Sequence, residues 1–190
     1  MIDPQSVSAV LVTRGNVDLS EIVESIGDAG IEDIVVWNNA ERENLSCYGR
    51  YAGIAEARNP WIYHQDDDLV APVADLLRCV DPERDRHVVV ANNRADEDWP
   101  LTAMGAVFHR DLAETCFDEY VAAYGWGPEF FRVCDVVFAY ENAHRRVALP
   151  YRDLPWASDP ASSMYLESGH MDAREVARAR TLTLAGLVAA

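Results

Sequence analysis

Short apolar, β-branched runs alternate with amphipathic stretches along the first half of the chain. Residues 7–12 read Val-Ser-Ala-Val-Leu-Val, the pattern of a strand buried on both faces. Asp18 and Glu21 then form a D-x-x-E capping box, and Leu19, Ile22, Val23 and Ile26 recur at i, i+3, i+4, i+7. This predicts a helix, closed by Gly27 and Gly30. Residues 34–37 make a second buried strand that ends abruptly in Asn38-Asn39. A less amphipathic helix is expected over 48–57, stopped by Asn59-Pro60, and residues 61–64 form a third strand that runs into Asp66-Asp67-Asp68. Strand, helix, strand, helix, strand at this spacing predicts βαβ units: an α/β, Rossmann-like fold with a mostly parallel sheet flanked by helices. Ligands of such sheets bind beyond the carboxyl ends of the strands, where the polar punctuation of this chain falls.

The second half is less regular. Val73, Leu76, Leu77 and Val80 predict a short helix, residues 87–91 a fourth strand, 92–100 a polar loop, and 102–109 a strand interrupted by Gly105. Gly125-Trp126-Gly127-Pro128 is a clear breaker. Val136, Ala139, Tyr140 and Ala143 recur at helical spacing beyond it, which places Cys134 and Asp135 in the first turn of that helix. Residues 150–163 read as a long loop. A final helix is expected from about Asp172, with Val176, Ala179 and Leu182 or Thr183 facing inward. There are no internal repeats.

Length and composition fit one globular domain of 190 residues, 49% apolar and 25% charged. The net charge of −16 disfavours phosphate backbones, so duplex nucleic acid is not an expected partner, whereas a bound cation is compatible. No apolar run has the length of a membrane span, and no membrane partner is expected. Cys47, Cys79, Cys116 and Cys134 contain no CxxC pair, which disfavours a zinc site and fits a reduced, cytoplasmic protein.

The sharpest chemical feature is Asp66-Asp67-Asp68 directly after a strand. Three carboxylates with no basic residue between them repel one another unless a cation compensates. Oxygen donors at a strand end suit Mn²⁺ or Mg²⁺, which bind through few carboxylates and share a substrate diphosphate. An acidic triplet also describes a solvated turn ahead of the helix that follows Pro72, so its neighbours decide the reading.

Residues 49–57, Gly-Arg-Tyr-Ala-Gly-Ile-Ala-Glu-Ala, resemble the A-R-N-x-G-I-x-x-A helix of family 2 glycosyltransferases, which precedes the strand ending in their DxD motif. Residues 35–39, Val-Val-Trp-Asn-Asn, resemble a signature of exostosin-type (family 64) glycosyltransferases, which also carry an Asp-Asp-Asp triplet. Val133-Cys134-Asp135-Val136 is similar to their acceptor-side Cys-Asp turn. The ordered set covers about residues 7–145. The resemblance implies a single GT-A domain over 1–190, with a nucleotide-sugar half (1–91), an acceptor-side half (92–150), and a loop with a C-terminal helix (151–190).

The resemblance also implies roles. Thr13, Arg14 and Gly15 end the first strand where such enzymes hold base and ribose, and Asn38 and Asn39 would meet the base or ribose. Arg50 matches the arginine that contacts the diphosphate, and a guanidinium fork suits paired phosphate oxygens. Asp68 is the expected metal ligand, with Asp66 and Asp67 serving the ribose, the sugar or metal-bound water. His170 is a candidate further ligand and Arg174 a candidate basic residue near the site. Trp126 is placed either on a sugar face or in the core.

The expected activity is metal-dependent transfer of a sugar from a nucleoside-diphosphate sugar, a UDP-sugar foremost, to an unidentified acceptor. Family 2 implies inversion with Asp135 as base, and the exostosin type implies retention with Asp135 positioning the sugar. Two other readings use the same carboxylates. A nucleotidyltransferase would need a glycine-rich phosphate loop and an early lysine, and this chain contains no lysine. A non-catalytic nucleotide-sugar or cation-binding module is the third.

Overall fold

The structure, a computed structural model, describes residues 1–93, 102–159 and 169–187. Its centre is a six-stranded sheet built from β1 (Val7–Thr13), β2 (Asp33–Asn38), β3 (Trp61–His64), β5 (Val89–Asn92), β6 (Ala106–His109) and β7 (His144–Val147) in the order β2-β1-β3-β6-β5-β7. β1 pairs in parallel with β2 and β3, and β5 with β7, while β6 lies antiparallel to both its neighbours. Five strands therefore point one way and β6 alone is reversed. This is the expected α/β, mostly parallel, Rossmann-like arrangement.

Alternation along each strand divides the core between two faces. Ala9 and Leu11 of β1, Tyr63 of β3 and Val107 of β6 pack with Ile22 and Ile26 of α1 (Ser20–Asp28) and Leu76 of α3 (Val73–Cys79). Val10, Ile62 and Phe108, the intervening residues, pack on the other face with Tyr51 of α2 (Gly49–Ala52) and with α6 (Pro128–Glu141). α4 (Asp111–Glu114), α5 (Asp118–Tyr124) and α7 (His170–Leu184) complete the helices, α5 and α7 on this second face. The side chain of Asp18 accepts from the backbone N–H (2.9 Å) and hydroxyl (2.6 Å) of Ser20, but Leu19 is the capping position of α1 and has no side-chain cap, and Glu21 pairs with Arg152, so the expected D-x-x-E capping box is not formed.

Several elements differ from the expectation. The helix over 48–57 is one α-turn followed by a 3₁₀ segment, Gly53–Glu56. The segment after Asn142 is not helix but β7, an edge strand pinned by Arg145, whose guanidinium donates to the buried Asp85 at 2.5 Å. Residues 150–163 are not an unbroken loop: β8 (Arg152–Asp153) pairs with β4 (Leu69–Val70) in a small second sheet, and a 3₁₀ segment, Pro155–Ser158, follows. α7 begins two residues before Asp172 and buries His170, Ala177 and Thr181, one position out of phase with the expected stripe, so that Val176 is exposed. Residues 94–100 of the expected polar loop and 160–163 of the long one lie outside the described residues. No described helix is long and apolar enough to cross a membrane.

Candidate functional site

The chain passes from β1 to β2 on one side and then to β3 on the other, so the carboxyl ends of β1 and β3 diverge at a topological switch point. This is the position at which open α/β sheets receive ligands. Thr13 ends β1 there, buried, and Asp66-Asp67-Asp68 follows β3. The Thr13 hydroxyl bridges the two ends. It accepts the Gly15 N–H at 3.1 Å and donates to the Asp67 carboxylate. Gly15, with φ +83°, passes so close to Asn38 that a Cβ would stand 2.4 Å from Asn38 Oδ1, so the turn after β1 admits only glycine.

The triplet is held by its backbone. The Asp66 N–H donates to Ala103 O (2.8 Å), Trp156 Nε1 donates to Asp67 O (2.8 Å), and the Leu154 N–H donates to Asp68 O (2.7 Å). The turn wraps around the buried Gln65, whose amide nitrogen donates to Leu69 O (2.6 Å) and whose Oε1 accepts the Tyr63 hydroxyl (2.5 Å). The main chain of the triplet is thereby fixed, while the Asp67 carboxylate meets Thr13 and that of Asp66 meets Arg50. Burial, with Asp66, Asp67 and Asp153 close by, pushes the Asp68 carboxyl up to about 7, and burial likewise raises that of Asp67. The β4–β8 pairing, invisible in the sequence pattern, is what brings Asp153 to the triplet.

Arg50 faces this acidic turn from below. Its helix reaches the sheet because Gly49 and Gly53 lie on one helical face. A Cβ on Gly49 would sit 2.4 Å from Trp37 and 2.9 Å from Val12, and one on Gly53 would sit 2.7 Å from Val10. This close seating leaves Arg50 only 2% exposed, its Nη2 donating to Asp66 Oδ1 at 2.5 Å and its Nη1 3.7 Å from Asp135 Oδ2. Nε and Nη1 have no hydrogen-bond partner in the protein. The two carboxylates hold the guanidinium strongly protonated against the effect of its burial.

Asp135 does not occupy the first turn of its helix. Pro128 opens α6 after Gly127, so Asp135 lies mid-helix, where the N-terminal dipole does not stabilise its charge. Its charge is instead balanced by Arg50 and its orientation by Tyr51, whose hydroxyl donates to Asp135 Oδ1 at 2.8 Å. Burial raises the Asp135 carboxyl, while Arg50 and the Tyr51 hydrogen bond oppose that rise. The side chain remains 25% exposed, so it is reachable from solvent.

The remaining candidates divide. Asn38 accepts from the Ala40 N–H (3.0 Å) and shapes the turn after β2. Both ends of the Asn39 amide are engaged, accepting from the Leu45 N–H (2.9 Å) and donating to Ser46 O (3.2 Å), so it frames the loop over 39–46. Arg14 is half-buried beside Thr13 and has polar contacts of its own. His170 opens α7 and is buried, and Arg174, one turn on, is close enough to favour the ionised form of Asp135. Among the described residues no three His, Cys, Asp or Glu side chains converge closely enough to hold a metal ion, so His170 and the triplet are not gathered into a ready-made cage. Trp126 is 55% exposed, edge-on to Tyr48 at 4.7 Å, at the rim rather than in the core.

Tyr51 and Gln65 carry no role in the sequence reading although both adjoin motifs that it singles out. For Tyr51 the available signal was its place beside Arg50. For Gln65 it was a polar residue between a buried strand and the triplet. No protein-family model matches this chain, and no curated protein matches it.

Proposed function

We propose that this protein is a metal-dependent glycosyltransferase of GT-A type that uses a nucleoside-diphosphate sugar, a UDP-sugar foremost. The observation that carries the reading is the bridge of Arg50 between Asp66 and Asp135 beside a crowded triplet at the switch point. One buried cation balances two carboxylates and leaves Asp67 and Asp68 with uncompensated charge. That excess favours a divalent cation, and an all-oxygen donor set selects Mn²⁺ or Mg²⁺. Asp68 would hold the ion, with Asp66 and Asp67 directed to the ribose, the sugar or its coordinated water. Such an ion would take its remaining ligands from water and the diphosphate, and His170 is the candidate further protein ligand. Bound there, the cation neutralises the diphosphate and makes it a better leaving group.

The chain's own groups account for the rest of the chemistry. The cradle of Thr13, Arg14 and Gly15, with Asn38 on the adjacent strand end, receives base and ribose, and Asn39 holds the loop beside it. Arg50 sits between Asp66 and Asp135 and balances their charge, and the planar fork of its guanidinium suits the paired oxygens of a diphosphate brought to the triplet. Asp135, raised by burial and reachable from solvent, takes the proton of the incoming hydroxyl.

Incubation with UDP-glucose, UDP-galactose and UDP-N-acetylglucosamine plus Mn²⁺, reading UDP release to water, tests this directly. At least one donor is expected to be hydrolysed, and Asp135→Asn is expected to lower the rate roughly 10²-fold with donor binding retained, the typical worth of a positioned base. Binding without release by wild type would instead identify a nucleotide-sugar-binding module.

A further inference from the structure

We propose that Tyr51 is the positioning residue of Asp135, dedicating one carboxylate oxygen so that the other is left to receive the proton. This rests on the glycosyl-transfer reading above and extends it to a residue that reading does not use. The Tyr51 hydroxyl donates to Asp135 Oδ1 at 2.8 Å. Asp135 Oδ2 lies 3.7 Å from Arg50 Nη1, beyond hydrogen-bond length, so its lone pairs are not consumed. Successive residues of one helical turn thus address opposite oxygens of the same carboxylate, one by a hydrogen bond and one by charge alone.

The phenol is fixed independently of Asp135. Tyr51 is 6% exposed, with its ring 4.9 Å from Phe117 and 5.1 Å from Phe138, edge-on to the first and tilted against the second. The glycines on either side of it, Gly49 and Gly53, press the turn onto Val12 and Val10 and leave no room for α2 to shift. A rigid donor aimed at Oδ1 restricts rotation of the carboxylate about its own axis, and with it the direction in which Oδ2 points. In the step it serves, a hydroxyl or water oxygen bonds to the anomeric carbon. The bond from that carbon to the diphosphate breaks, its electron pair leaving on the nucleoside diphosphate, and the nucleophile's proton passes to Oδ2. Tyr51 touches none of the reacting atoms and keeps its own proton throughout, since burial and Asp135 hold its phenol far from ionisation.

The test is a double-mutant cycle on Mn²⁺-dependent UDP release, with wild type, Tyr51→Phe, Asp135→Asn and the double variant at saturating donor. Phe retains the ring and removes one oxygen, so packing is preserved and a thermal melt verifies the fold. Tyr51→Phe is expected to lower kcat roughly tenfold or more, the worth of a hydrogen bond to a charged group, with the donor KM unchanged. In the Asp135→Asn background it is expected to have no further effect, because the group it positions no longer accepts a proton. A purely structural Tyr51 would slow both backgrounds by the same factor, and that result overturns the proposal. Wild-type kcat in Tyr51→Phe while Asp135→Asn is impaired also overturns it, and leaves the glycosyltransferase reading standing. Unimpaired Asp135→Asn, or a wild type that releases no UDP from any donor, overturns the reading and the positioning role with it.

Discussion

Asp68 lies among Asp66, Asp67 and Asp153 with its carboxyl displaced upward to about 7, and this has a thermodynamic consequence in the metal-free protein. An unfolded aspartate titrates near pH 3.9. Between that value and about 7 the folded state holds a proton that the unfolded chain has released. The Asp68 contribution to stability is therefore present at low pH and is lost as pH rises towards neutrality. Melting temperatures of wild type and Asp68→Asn, taken without metal from pH 5 to 7.5, are expected to diverge, the wild type falling relative to the variant. Parallel curves would show that the triplet is too well solvated to feel its own charge. At this scale the triplet, Arg50 and Asp135 were legible because charge and motif spacing are written in the chain. The contacts of Tyr51 with Asp135 and of Asp153 with Asp68 were not, because each joins residues far apart in sequence through packing that no local pattern encodes.

Elements were legible where one face is apolar and the other polar. α1 and α3 match their predicted spacing for that reason. α6 starts earlier than expected: Phe130, Phe131, Val133 and Cys134 are buried, and Glu129, Arg132 and Asp135 recur between them on the less buried side, a period that continues the helix back to the Gly-Pro breaker. The helix begins at Pro128, the residue suited to a first helical position, and Asp135 is displaced inward by two turns. β7, with the sequence His-Arg-Arg-Val, lacks the apolar run of a central strand because it forms the sheet edge. The two-residue strands β4 and β8 exist only through each other. For α2 the motif was legible but its physical reason was not. Gly49 and Gly53 are the contact surface against β1 and β2 rather than flexible joints. Gly49→Ala places a methyl group 2.4 Å from Trp37. It is expected to cost about 1–3 kcal/mol by chemical denaturation, as overpacking does, and to displace Arg50 from Asp66. A variant as stable as wild type would show that α2 is seated more loosely than its glycines require.

Over the whole molecule, the sheet order places the ends of β1, β2 and β3 on one edge, and α6 carries Asp135 to the same region from the opposite half of the chain. The parallel half was readable from alternating strands and helices, whereas the reversed β6 was not, since a four-residue apolar strand carries no mark of its direction. The net charge of −16 adds a global bias: a dianionic nucleotide approaching so acidic a protein is repelled unless a cation accompanies it. The central claim, that nucleoside diphosphate and divalent cation share the triplet, is tested most directly by calorimetric titration of UDP into wild type and Asp68→Ala, each with and without Mn²⁺. The account predicts that Mn²⁺ tightens UDP binding to wild type at least tenfold and does not tighten binding to Asp68→Ala. Equal Mn²⁺ dependence in the two proteins would contradict it.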